Sequence, residues 1–157
     1  MATEKELKRA KDAFDKLCET LDEMNWHYKK DEEALVVRLG VEGDDFPMEF
    51  LISMDAERQL IRIASLLPFK MSEEKHIDGA LATSFANYRL ADGSFDYNPT
   101  DGRIIFRMTS SFRESLIGKE LLKYMIDTAC LAVDKYNDQF FMISKGVLKI
   151  EDFVKRN

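Results

Sequence analysis

A chain of 157 residues that is 45% hydrophobic, 33% charged and 11% aromatic, with 7 Gly and 3 Pro, has the make-up of one globular domain and excludes collagen-like, disordered and transmembrane classes. About 69% of the extended chain's surface disappears on folding at this size, enough for a full core without a metal or disulfide staple. With 23 Lys and Arg against 29 Asp and Glu the formal charge is −6, so nucleic-acid phosphate is repelled on average, and pairs such as Lys29-Lys30 and Lys155-Arg156 form no basic stripe.

From Glu4 to Met24 the apolar residues Leu7, Ala10, Phe14, Leu17, Cys18 and Leu21 recur every three or four positions, which predicts a helix with one buried face. A short strand at Trp26 to Lys30 follows. The period then becomes two: Leu35, Val37, Leu39 and Val41 alternate with Val36, Arg38 and Gly40, and Phe46, Met48, Phe50 and Ile52 alternate with Pro47, Glu49, Leu51 and Ser53. Short connections at Glu42 to Asp45 and Asp55 to Arg58 make these strands and the next, Gln59 to Leu67, antiparallel hairpins with Ile61 and Ile63 inward and Arg62 toward water. Ser72 with Glu73-Glu74 predicts a capped second helix presenting Ile77, Ala80, Leu81, Phe85 and Tyr88 to the core. A hairpin, Gly93 to Asn98 and Arg103 to Met108, turns at Pro99-Thr100-Asp101-Gly102. The longest helix runs from about Gly118 to Phe141 with a broad stripe that includes Leu121, Leu122, Met125, Ile126, Val133 and Phe140, wide enough to cover a sheet.

The predicted fold is α+β: a single domain over residues 1–157, with an antiparallel meander sheet packed by helices in the order α-β-β-β(-β)-α-β-β-α and residues 144–157 as a short C-terminal helical extension. The sheet face away from the helices keeps Val36, Leu51 and Ile105, more apolar character than a solvated face requires, which makes these three the candidate partner or dimer surface.

Reactive groups form no site in this sequence. Asp92-x-Ser94-x-Asp96-x-Asn98 begins like a calcium loop, but Tyr97 stands where Gly is needed and Arg103 where a bidentate Glu is needed. His27 and His76 lack a second ligand at helical spacing, so no zinc is expected. The seven glycines make no phosphate-binding loop. Cys18 and Cys130 lie on core stripes, as small hydrophobes do in a reducing compartment. No apolar signal region opens the chain, no run approaches a membrane span, and a cytoplasmic, soluble protein is expected.

The stretch from Ala80 to Arg89 leads into Gly93-Ser94-Phe95-Asp96-Tyr97, continues through Asp101-Gly102-Arg103-Ile104-Ile105-Phe106-Arg107 and Asp134-Lys135-Tyr136, and closes on Ile143-Ser144-Lys145-Gly146. This run resembles the YbjN-like family of small bacterial proteins, sometimes labelled sensory transduction regulators, over residues 72 to 156. The resemblance implies a fold like that of class I type III secretion chaperones, acidic non-enzymatic proteins that commonly dimerise and hold an extended segment of a partner. It supplies no catalytic residue. One departure is Lys149 ahead of Ile150-Glu151-Asp152, where relatives tend to place a small hydroxyl residue, so the last helix is expected to be poorly capped. The expectation is a non-catalytic protein-binding module, chaperone-like or regulatory and homodimeric, with an unidentified protein partner and without cofactor, metal, nucleic acid or membrane. The alternative is a small enzyme built around His76 with Glu73, Glu74 and Asp78.

Overall fold

A computed structural model describes residues 1–157. Helix α1 (Glu4–Glu23) starts at a reciprocal capping box: the Glu6 amide donates to Thr3 Oγ1 at 3.3 Å while the Thr3 amide donates to Glu6 Oε2 at 2.7 Å. Strands β1 (Lys29–Asp31), β2 (Val36–Val41), β3 (Met48–Asp55) and β4 (Leu60–Lys70) follow as an antiparallel meander. A 3-10 turn at Glu73–Lys75 leads into α2 (His76–Arg89), and then come β5 (Ser94–Tyr97), β6 (Arg103–Ser111), α3 (Lys119–Ser144) and α4 (Ile150–Arg156). Ser72 precedes the 3-10 turn but its hydroxyl caps nothing; its carbonyl accepts from the Lys75 amide instead. Lys149 likewise provides no side-chain cap to α4.

The sheet order is β1-β2-β3-β4-β6-β5, all antiparallel. The last hairpin therefore docks by its second strand: nine-residue β6 matches eleven-residue β4, and the four-residue β5 is left at the edge. Gly102 holds this hairpin in place. Its φ is +76°, its carbonyl accepts from the Met71 amide at 2.9 Å, and a Cβ there would run into the Met71 carbonyl oxygen.

Helices α1 and α3 cover one sheet face, meeting the buried members of each alternating strand: Val37, Phe50, Ile52, Ile61, Ile63 and Phe106. Along α3, Met125, Ile126, Ala129, Val133, Tyr136 and Phe140 form the covering stripe. Leu121, expected in that stripe, is 39% exposed, and Leu7 of α1 is 52% exposed. At the far end Phe95, Phe106, Tyr136, Phe140 and Phe153 form one aromatic cluster with ring centroids 5.0 to 6.2 Å apart, in which Phe95 meets its three neighbours edge to face and Tyr136 stacks on Phe140. Phe153 brings α4 into this cluster and is fully buried.

Candidate interaction surface

The second sheet face carries no helix, and its side chains are exposed or half-buried. All three expected surface residues lie on it, each half-buried: Val36 opposite Ser53, Leu51 opposite Ala64, and Ile105 opposite Leu66. Since Ala64 and Leu66 are alternate residues of β4, Leu51, Ala64, Leu66 and Ile105 make a continuous aliphatic band across three strands. Leu66 is its most open member at 52% exposure. Four of the nine arginines share this face, namely Arg38, Arg62, Arg103 and Arg107. Arg107 is held by Asp96 at 2.7 Å and Arg103 by Asp101 at 2.6 Å, whereas Arg38 and Arg62 have no ion pair.

The two sheet edges are closed to a further strand by different means. β1 is three residues long and wholly exposed, with the sequence Lys-Lys-Asp. On β5, the side chain of Asn87 from α2 stands in for a neighbouring strand: the Phe95 amide donates to Asn87 Oδ1 at 2.7 Å and Asn87 Nδ2 donates to the Phe95 carbonyl at 3.0 Å. Replacing Asn87 with Ala leaves both backbone groups unpaired and is expected to cost about 1–3 kcal/mol. It also frees the edge for self-association, so melting temperature should fall and light scattering rise.

Helix α2 turns a different side inward from the one its large residues suggest. Gly79, Ala82, Thr83 and Ala86 are buried, while Ile77, Leu81 and Tyr88 are 76%, 53% and 82% exposed. Only Phe85 of the expected stripe reaches the interior, packing on Phe153 at 5.9 Å between ring centroids. The cause is close approach: Gly79 lies against Met71 and Tyr97 with no room for a Cβ, and a helix that must bring Asn87 to the β5 backbone can put only small side chains between. The large residues are thereby left outside as an apolar stripe with Ala80 and Ser84 at its centre. Periodicity alone missed this surface; the parallel row of small residues was the signal for it.

The residues of the enzymatic alternative do not converge. His76 packs edge to face on Tyr97 at 6.2 Å, Asp78 pairs with Lys75 at 3.4 Å, and Glu73 and Glu74 are exposed on the 3-10 turn. The open groove between α2 and β5 is lined by Thr83, Ser84, Asn87, Asp96 and Tyr97 and includes none of the four. The calcium-like oxygens are also engaged within the protein: Asp92 accepts from Tyr124, Asp96 from Ser94 and Arg107, and Asn98 from the Thr100 amide. Burial, reinforced by Asp127 and Asp134, pushes the Cys130 thiol up to about 12, and burial raises Cys18 as well. Neither is thiolate near neutral pH, so Ellman's reagent at pH 8 should find almost no reactive thiol in the native protein and two after unfolding.

The family model that matches the chain is YbjN, described as "Putative bacterial sensory transduction regulator", over residues 13–142. No curated protein matches it. Among solved structures, the crystal structure of YbjN from E. coli is similar at a TM-score of 0.57 and 11% identity, covering 80% of this chain and 92% of that one. The HopA1-SchA chaperone-effector complex gives 0.53 at 12% identity, covering 81% and 95%. An uncharacterized protein from Methanothermobacter thermautotrophicus gives 0.57 at 16%, covering 87% and 99%. At these identities the likeness is one of fold.

Proposed function

This chain belongs to the YbjN family, and from that membership and the open sheet face we propose that it is a non-catalytic protein-binding module, regulatory or chaperone-like, acting in the cytoplasm as a homodimer. The observation that carries the reading is the helix-free sheet face with its continuous aliphatic band, Leu51, Ala64, Leu66 and Ile105. Burying such a band against a partner's side chains supplies affinity without bond chemistry, at about 25 cal/mol per Å² of apolar surface removed from water. A chaperone-effector complex with a similar fold supports the idea that this architecture holds a protein segment. Two free cysteines suit a reducing compartment.

The α2 stripe supports the dimer. Its ends are opposite in charge, with Glu73 and Glu74 ahead of the helix and Arg89 at its close, so a two-fold antiparallel pairing sets each acidic end beside the partner helix's basic end. Ala80 and Ser84 let the two helices approach closely, and Ile77, Leu81 and Tyr88 cover the seam.

Site-specific photo-cross-linking in the native host tests the reading. A benzophenone side chain at position 51 or 105 should capture a protein other than a second copy, and one at the exposed α3 residue Leu131 should not. Adducts from Leu131 alone, or only self-adducts from positions 51 and 105, would overturn it.

A further inference from the structure

We propose that the open face recognises an extended acidic segment of the partner in which a carboxylate, an aliphatic residue and a second carboxylate point the same way at alternate positions; this rests on the surface assigned above. Arg38 on β2 lies opposite Leu51, and Arg62 on β4 lies opposite Ser53, whose other neighbour is Val36. Leu51 and Ser53 thus stand between two guanidinium groups that have no ion pair in a chain of net charge −6, with Val36 and Ala64 at the other two corners. Arg62 Nε is shut from solvent and bonds to nothing, so this half-buried guanidinium is poorly hydrated and gains from a carboxylate brought to its terminal nitrogens.

The spacing sets the segment's pattern. β2 and β4 are two strands apart and the arginines differ by one alternate row, which places their Cα atoms about 12 Å apart. An extended chain returns a side chain to the same face about every 6.7 Å, so residues i and i+4 span about 13 Å with residue i+2 over Leu51 and Ser53. A second copy is disfavoured here, because an isologous interface sets the same two unpaired guanidiniums on both facing patches, and like charge repels. Nucleic acid is disfavoured too, since the surface between the arginines, Leu51 and Ser53 with Val36 and Ala64 beside them, offers no aromatic ring for a base to stack on.

A fluorescein-labelled peptide of three Glu-Ser-Leu-Ser repeats, followed by anisotropy with the full chain, tests this. Binding should weaken with added NaCl, fall at least about tenfold in Arg38→Gln and in Arg62→Gln, and fall similarly when Gln replaces Glu in the peptide. Circular dichroism and melting temperature show whether each variant is folded, and Arg38→Lys, which keeps charge at an exposed position, should retain most of the affinity. Equal binding of the Gln peptide, or tighter binding of a Lys peptide or of single-stranded DNA, overturns the acidic specificity. If no peptide binds while cross-links from position 51 form in cells, the segment chemistry falls and the surface stands; if both fail, both readings fall.

Discussion

Replacing Phe153 with Ala is expected to cost about 3–5 kcal/mol. Its ring is fully buried and lies 5.9 Å from Phe85, 5.9 Å from Phe140 and 6.2 Å from Tyr136, centroid to centroid, so truncation removes a shared partner of α2 and α3. The cavity cannot close by collapse of α4, because that helix has seven residues and Phe153 is its one buried side chain. A loss of this size takes a large part of a small domain's stability, and a urea titration with an unchanged slope and a lowered midpoint would show it. An unfolding free energy within about 0.5 kcal/mol of the parent's would mean that α4 is a loose tail. The family match ends at residue 142, ahead of α4, so the plug that seals the aromatic cluster lies beyond the segment by which the family is recognised.

The second large effect concerns assembly. If the chain pairs along α2 as proposed, Leu81→Glu, alone or with Ile77→Glu, should turn that dimer into a monomer, raising its dissociation constant more than about 100-fold, since each charge buried unpaired across a two-fold axis costs several kcal/mol. Both side chains are open in the single chain, at 53% and 76% exposure, so the melting temperature of the monomer should change little. Size exclusion with light scattering at tens of micromolar reads the mass directly, against 18.2 kDa for one chain. A parent protein that runs as a monomer, or a double variant that stays dimeric, contradicts a seam along α2.

Strand alternation carried most of the fold. Val37, Leu39, Phe50, Ile52, Ile61 and Ile63 are buried where the period of two puts them, because an antiparallel sheet with one covered face leaves no other way to hide those side chains. The helices were legible to different degrees. On α3 the apolar stripe and the buried stripe coincide, since a sheet lies beneath it. On α2 they do not. Apolar residues stand on two sides of that helix, and which side goes in depends on how near β5 and α4 come, a tertiary fact that periodicity does not encode. The docking of the last hairpin by β6 was hidden for the same reason: hairpin chemistry predicts that β5 and β6 pair, and says nothing about which of them meets β4.

Of the candidate surface, sequence identified its location and not its character. Val36, Leu51 and Ile105 could be placed on the uncovered face by parity alone. That Ala64 and Leu66 bridge Leu51 to Ile105, or that Arg38 and Arg62 flank Leu51 and Ser53, depends on cross-strand register, set by pairings 9 to 39 residues apart in the chain. Asn87 was likewise invisible as an edge guard, because its partner is a backbone eight residues away in a separate element.

The most direct measurement is a methyl NMR titration of the full-length protein, labelled at Ile, Leu and Val, with the partner recovered by cross-linking. Shifts concentrated at Val36, Leu51, Leu66 and Ile105, with Ile61 and Ile63 beneath the sheet moving less and Ile77 and Leu81 unmoved, are the expected result. Shifts gathered instead around His76 and the groove between α2 and β5, with the sheet methyls silent, would contradict the assignment of the open face as the binding surface.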